Sequence, residues 1–295
     1  MKLVEDGTKP SAGATAPVLF WDAFQLAGQH LLVGTGDETA RSAVKAVLSG
    51  FGPVHAVDLL RRPRFSIVRS DESWRIAIDD KPVDSAPDFL IALSNLEWHV
   101  VDHALAQRTD LFQMHAAALA LPTRRAGLVL AGVSGAGKST LTLALMLRGF
   151  SPFSDDVTIV NPDTLELMPF PRAFHVDERT WQVLEPVAGV LLHTDPEMPA
   201  GYFCPPQWAH RPVPLRWVVF PDYQVGRQSQ LSRMTRADAV AALVANSGTL
   251  HRVPRLALRT AVRIAEQVPC YRLAAGDLAQ SIVLLQELVY ASDST

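Results

Sequence analysis

Gly132-Val133-Ser134-Gly135-Ala136-Gly137-Lys138-Ser139 is a complete G-x-x-x-x-G-K-[ST] sequence, the pattern of a phosphate-binding (Walker A) loop. Its flanks suit that role. Ala126 to Ala131 is a short apolar run that predicts a buried strand, and Ser139 to Arg148 is a Leu-rich, proline-free helix closed by Gly149. Glycines between strand and helix let successive backbone N–H groups converge on phosphate oxygens, and the helix N-terminus adds partial positive charge. Lys138 is placed to reach the β/γ-phosphates and the Ser139 hydroxyl to sit on Mg²⁺; the expected nucleotide-binding set runs from Gly132 through Thr140. A plain glycine turn would leave the Lys-Ser pair unexplained.

Shortly after this helix comes Phe150-Ser151-Pro152-Phe153-Ser154-Asp155-Asp156-Val157-Thr158-Ile159-Val160, an acidic pair feeding an apolar strand. Two adjacent carboxylates allow a division of labour, one helping to hold the metal and the other taking the proton of an attacking hydroxyl. Ser-Asp-Asp is also turn composition, and an exposed turn is the bland alternative.

From His115 to Val160 the chain resembles HPr kinase/phosphorylase and its relatives. In that family a His-bearing apolar segment leads into a strand, a G-x-S-G-x-G-K-S loop, a helix ending Arg-Gly, and an Asp-Asp pair. The counterparts here are His115, Gly132 to Ser139, Arg148-Gly149 and Asp155-Asp156, with Asp155 seventeen residues beyond Lys138. The resemblance implies a P-loop kinase core of the phosphoenolpyruvate-carboxykinase/HPr-kinase type. It also implies ATP and Mg²⁺ as cofactors and a serine hydroxyl as acceptor. Asp155 would be the base and Asp156 the metal partner, or the two roles exchanged. His115 would lie beside the loop, its alternative being a histidine satisfied in the core.

Ser139-Thr140 stands where HPr kinases carry Ser-Glu, and their downstream Gly-rich signature has no counterpart, so the likeness does not extend to phosphorolysis, a hexamer or HPr as substrate. The chain is more similar to HPr-kinase-related proteins of bacterial biosynthetic clusters, including kinases of lasso precursor peptides. It shares their Pro169-Phe170-Pro171-Arg172 stretch, a Phe220-Pro221 strand end, and a closing helical region with Pro269-Cys270-Tyr271-Arg272-Leu273.

The 295-residue chain as a whole sets bounds. Its 48% apolar content is ample for a core, and a net charge of −3 offers no basic footprint for nucleic acid. Cys204 and Cys270 make no disulfide framework, the polar stretch Met1 to Gly7 does not read as a signal peptide, and no run reaches a membrane span. A soluble, cytoplasmic protein is expected, with homo-oligomerisation left open.

Residues 1–17 read as disordered, 18–107 as a small α+β domain and 108–295 as the kinase domain, giving an α/β (overall α+β) fold. In the smaller unit, His30–Val33 reads as a strand and Glu38–Ser49 as a helix closed by Gly50, with Thr35 or Asp37 as its cap. Phe65–Arg69 and Trp74–Ile78 alternate across Ser70-Asp71-Glu72-Ser73 as a hairpin, and Pro87–Gln107 is a long helix with Leu93, Leu96, Val100, Val101 and Leu105 inward. Beyond the acidic pair, Leu165–Leu167 returns as a hairpin and Pro169–His175 is a proline-punctuated strand. Arg172 is a candidate for stabilising the transferring phosphate and His175 for touching nucleotide or acceptor. Pro196 to Ala209, rich in proline and aromatics, is read as a lid or acceptor loop. Leu215–Phe220 is a buried strand flanked and interrupted by Arg211 and Arg216, and three helices follow within 235–245, 254–267 and 277–290.

The expectation is a Mg-ATP-dependent kinase that phosphorylates a serine in a peptide or small protein. A small-molecule hydroxyl is the alternative acceptor, and a nucleotide-binding regulatory or scaffold module is the alternative of a different class.

Overall fold

The computed structural model describes residues 19–52, 54, 62–70, 72–188 and 198–291. The N-terminal stretch read as disordered, Asp71 of the hairpin turn and Pro196 lie outside the described residues. The fold is mixed α/β, built on sheets of five, eight and two strands.

The five-stranded sheet runs in chain order: β1 (Phe20–Leu26), β2 (Gln29–Thr35), β3 (Arg64–Ser70), β4 (Ser73–Ile78) and β5 (Lys81–Ala86). Only β2 and β3 are parallel. The β3–β4 hairpin closes with Ser70 opposite Ser73, as the alternation predicts. Helix α1 (Glu38–Val47) follows β2, and Asp37 is its cap, its carboxylate accepting from the Ala40 N–H at 2.8 Å. Helix α2 (Phe89–Ala106) starts on Asp88 and turns Leu93, Leu96, Val100, Val101 and Leu105 into the core. Strands β1 and β5, not anticipated, are sheet edges, where Pro82 is tolerated.

Gly50 does not close α1. Leu48 caps it and a 3₁₀ turn, Ser49–Phe51, follows. The glycine is there for room: a Cβ at this position would come 2.0 Å from the Pro171 carbonyl oxygen. Beside it, the Phe51 and Phe170 rings meet edge to face at 5.0 Å. The core of the smaller sheet therefore continues into Phe170, Ala173 and Tyr202 of the larger unit.

The eight-stranded sheet comprises β6 (Phe112–Ala120), β7 (Gly127–Ala131), β8 (Ser151–Ser154), β9 (Val157–Val160), β10 (Glu166–Met168), β13 (Val213–Tyr223), β14 (Gln230–Arg233) and β15 (Cys270–Ala275). Strands β7, β13 and β15 are parallel neighbours at its centre. Their nearly continuous apolar runs are what a sheet covered on both faces needs. Leu128 and Leu130 of β7 and Trp217 and Val219 of β13 face α3 (Lys138–Met146), α4 (Glu178–Ala188) and α7 (Leu278–Ala291). Val129, Ala131, Val218 and Phe220, the alternate residues, face α5 (Arg236–Ala245) and α6 (Pro254–Gln267).

Three expectations are corrected. The Pro269–Leu273 element is not part of a helical region: Cys270–Ala275 is an inner strand, paired on both sides by β13 and β14. Only Phe174–His175 (β11) of the stretch 169–175 is strand, because two prolines leave too few N–H groups for a ladder. Its partner is β12 (Tyr202–Phe203), so the described part of the expected lid is a packed strap with Tyr202, Phe203 and Trp208 buried.

Gly50→Ala should lower stability by roughly 1–3 kcal/mol, because the new methyl meets backbone carbonyl rather than a movable side chain. Denaturant unfolding measures this; a change within about 0.3 kcal/mol would mean the two segments do not approach so closely.

Candidate functional site

Strand β7 ends at Ala131 and α3 begins at Lys138, so the glycine-rich loop spans the gap between a central strand and a helix N-terminus. Gly135 and Gly137 take φ of +81° and +93°, where a Cβ would be strained. Gly137 is the N-cap of α3 and has no side chain to satisfy the helix start. The Leu141 N–H bonds back to the Gly137 carbonyl at 2.9 Å, so the N–H groups of Lys138, Ser139 and Thr140 precede the intrahelical ladder.

The Lys138 ammonium folds over its own loop. It donates to the carbonyls of Gly132 (2.8 Å) and Val133 (3.1 Å) and lies 3.2 Å from His115 Nε2. An ammonium has three hydrogens and no lone pair, so His115 Nε2 accepts the third. That fixes the tautomer: Nδ1–H of His115 donates to Asp156 Oδ1 at 2.9 Å. Phe112, Met114 and Ala116 of β6 point into the α5/α6 core, and period two turns His115 to the opposite, cavity side. With 45% of its side chain exposed, it is not a core histidine.

Asp155 and Asp156 form the bend between β8 and β9, a turn whose first carboxylate is nonetheless buried. Arg172 is buried beside them. It donates through Nε to Glu97 (2.8 Å) and through Nη1 to Asp156 Oδ2 (2.8 Å). His175 Nε2 lies 2.8 Å from Glu97 Oε2 and 3.3 Å from Arg172 Nη2. Since Glu97 only accepts, Nε2 must carry its hydrogen toward the carboxylate, and the longer arginine approach is a contact between donors. Lys138, His115, Asp156, Arg172, Glu97 and His175 thus form one continuous polar chain.

The two neighbouring aspartates titrate in opposite directions. Burial pushes Asp155 up to about 8; the Arg172 charge opposes this, while Asp156 and Glu97 add to it. Its Oδ1 is buried with no hydrogen-bond partner. Burial would raise Asp156 too, but the His115 hydrogen bond and Arg172 outweigh it and hold that carboxyl far below the usual range. Burial lowers Lys138, against the pull of both aspartates.

These groups line a cavity of about 750 Å³. Lys138, Ser139, His115, both aspartates, Arg172 and His175 lie on it, as do Ser134, Gly135, Gly137 and Thr140. Of the expected loop set, Val133 points to solvent and Ala136 packs inward, while Arg211 and Arg216 are exposed. Tyr223, which packs near Gly137, and Leu278 also line the cavity, as do Ser94 and Trp98 of α2. Glu97 was missed by the sequence reading. Its signal was an acidic residue beside Leu96, on the otherwise apolar inward face of the helix.

Among the described residues, no group of three or more His, Cys, Asp or Glu side chains could by itself enclose a metal. A Mg²⁺ that keeps water and shares phosphate oxygens needs only one or two protein carboxylates, which the Ser139–Asp156 side of the cavity can supply. Among the described residues no helix is long and apolar enough to cross a membrane. No protein-family model and no curated protein matches this chain.

Because the folded value of Asp155 is raised above its unfolded 3.8, the stability tied to its proton is complete below pH 4 and is lost as pH rises through about 8. Asp155→Asn should remove that loss, gaining on wild type by about a few kcal/mol between pH 5 and pH 8.5. Unfolding curves across that range test it, and a constant difference between the two proteins would refute the raised carboxyl.

Proposed function

We propose that the protein is a Mg-ATP-dependent kinase that transfers the γ-phosphoryl group to a hydroxyl, in first place a serine of a peptide or small protein. The observation that carries the reading is the bridge through His115, which joins the loop lysine to the acidic pair at 3.2 and 2.9 Å. A phosphate-binding loop by itself serves switches and motors as well; a carboxylate pair beside its lysine adds a metal partner and a base, the two groups that phosphoryl transfer to a hydroxyl uses. The resemblance to HPr-kinase-related proteins supports the same reading and supplies serine as the acceptor.

On this reading the N–H groups at the start of α3 and Lys138 hold the β/γ-phosphates, with Lys138 exchanging its loop carbonyls for phosphate oxygens. Ser139 and Asp156 would hold Mg²⁺, which neutralises charge on the bridging phosphates when bound. Asp156 suits that part because His115 and Arg172 orient both of its oxygens and keep it ionised. Asp155 suits the proton: its affinity for one is raised and it lines the cavity. The acceptor oxygen forms its bond to the γ-phosphorus as the bond to the β–γ bridging oxygen breaks. The hydroxyl proton passes to Asp155, and ADP leaves.

Mass spectrometry of serine-containing peptides and small hydroxyl compounds, incubated with Mg-ATP and the protein, tests this directly. The expected result is a peptide gaining the mass of phosphate. Phosphate on a small molecule alone would reassign the acceptor. ATP binding without any transfer would favour a nucleotide-binding regulatory module.

Lys138→Ala should weaken ATP binding at least about tenfold, read by calorimetry, since a charge-assisted contact to phosphate is lost. Asp155→Asn should leave ATP affinity within about twofold yet slow transfer by about 10²–10⁴-fold. In the wild type, kcat/KM should rise with pH up to about 8, where Asp155 loses its proton. A flat profile from pH 6 to 9 would remove Asp155 from the base role.

A further inference from the structure

We propose that Glu97, on helix α2 of the smaller unit, is a positioning residue for the transfer reaction, acting through Arg172 on Asp156. The inference rests on the kinase reading above and extends the machinery to a part of the chain that carries neither loop nor acidic pair.

Glu97 is 2% exposed on an otherwise apolar inward face of α2. A carboxylate placed there is costly unless paired, and nothing in α2 pairs it. Its partners come from far along the chain, in the segment that follows β10: Arg172 Nε at 2.8 Å and His175 Nε2 at 2.8 Å. Arg172 uses its remaining edge to grip Asp156 Oδ2 at 2.8 Å. The guanidinium is planar and rigid, so fixing Nε on Glu97 fixes where Nη1 points. Without Glu97, Arg172 would be free to swing both of its donors onto the acidic pair, and Asp155 would lose a negative neighbour.

The same helix places Ser94 and Trp98, one turn before Glu97 and one residue after it, on the wall of the cavity that the aspartates also line. Trp98 is 59% exposed, a large apolar surface on the lining of the cavity. Helix α2 thus does two things at once. Its inner face ties down the arginine that orients Asp156, and its cavity face presents the wall that an incoming acceptor would meet.

The test compares full-length wild type, Glu97→Gln and Glu97→Asp. The expected result for Glu97→Gln is a kcat lowered by about 10- to 100-fold with Mg-ATP affinity within about twofold. Glu97→Asp, which keeps the charge on a shorter stem, should recover part of kcat. Adding Glu97→Gln to Arg172→Lys should cost little beyond Arg172→Lys alone, because the glutamate acts only through the guanidinium. Full kcat in a folded Glu97→Gln protein would overturn the inference while leaving the kinase reading standing. So would kcat and ATP affinity falling together without rescue by Glu97→Asp, since that pattern marks a merely structural acid. Absence of transfer by the wild type to every acceptor would overturn the kinase reading and this inference with it.

Discussion

Arg172 is a buried cation with carboxylates on two sides, one from each of the two large sheet systems, and much of the site's order follows from that placement. A guanidinium taken out of water is tolerated only when its donors are met and its charge is balanced. Glu97 balances it from α2 and Asp156 from the bend after β8. Meeting both partners requires α2, the β8–β9 bend and the Pro169–His175 segment to arrive in one register. The close approach of Gly50 to Pro171 and the Phe51–Phe170 contact bring the backbones near enough for that to happen. Packing supplies the proximity, and the ion pairs select one arrangement within it.

The same arginine shares in the separation of the two aspartates, together with His115 and the deeper burial of Asp155. Asp155 and Asp156 are neighbours in sequence and share a bend, yet one is driven toward its protonated form and the other toward ionisation. Burial acts on both. It acts more strongly on Asp155, and hydrogen bonding differs as well: Asp156 accepts from His115 and Arg172, whereas Asp155 Oδ1 accepts from nothing. Two carboxylates pushed apart in this way are suited to different tasks, one to charge and one to protons.

The strand, glycine loop and helix around Lys138 were legible in the sequence, because hydrophobic runs and obligatory positive-φ glycines are local properties. The long helix α2, the β3–β4 hairpin and the central strand after Leu215 were legible for the same reason. Strand β15 was not, since Pro269 and Arg272 disguise a segment whose apolar face is set by its neighbours β13 and β14. The strap around Tyr202 looked like an exposed loop because its composition reports irregular backbone, and composition does not report what covers it. Glu97 was hidden by distance: its partners lie some seventy-five positions further along the chain, at separations that no local pattern encodes.

The Glu97–Arg172–Asp156 arrangement also bears on how such a chain can change over time. Removing one member of a buried ion network strands the others, at a cost of about 3–5 kcal/mol, whereas exchanging all members for well-packed neutral residues can be nearly neutral. Single substitutions at these three positions are therefore costly, and passage between the charged and the uncharged state is easiest through joint change in two distant stretches of sequence. Among descendants of a common ancestor, positions 97, 156 and 172 should be inherited as a unit, kept together or lost together.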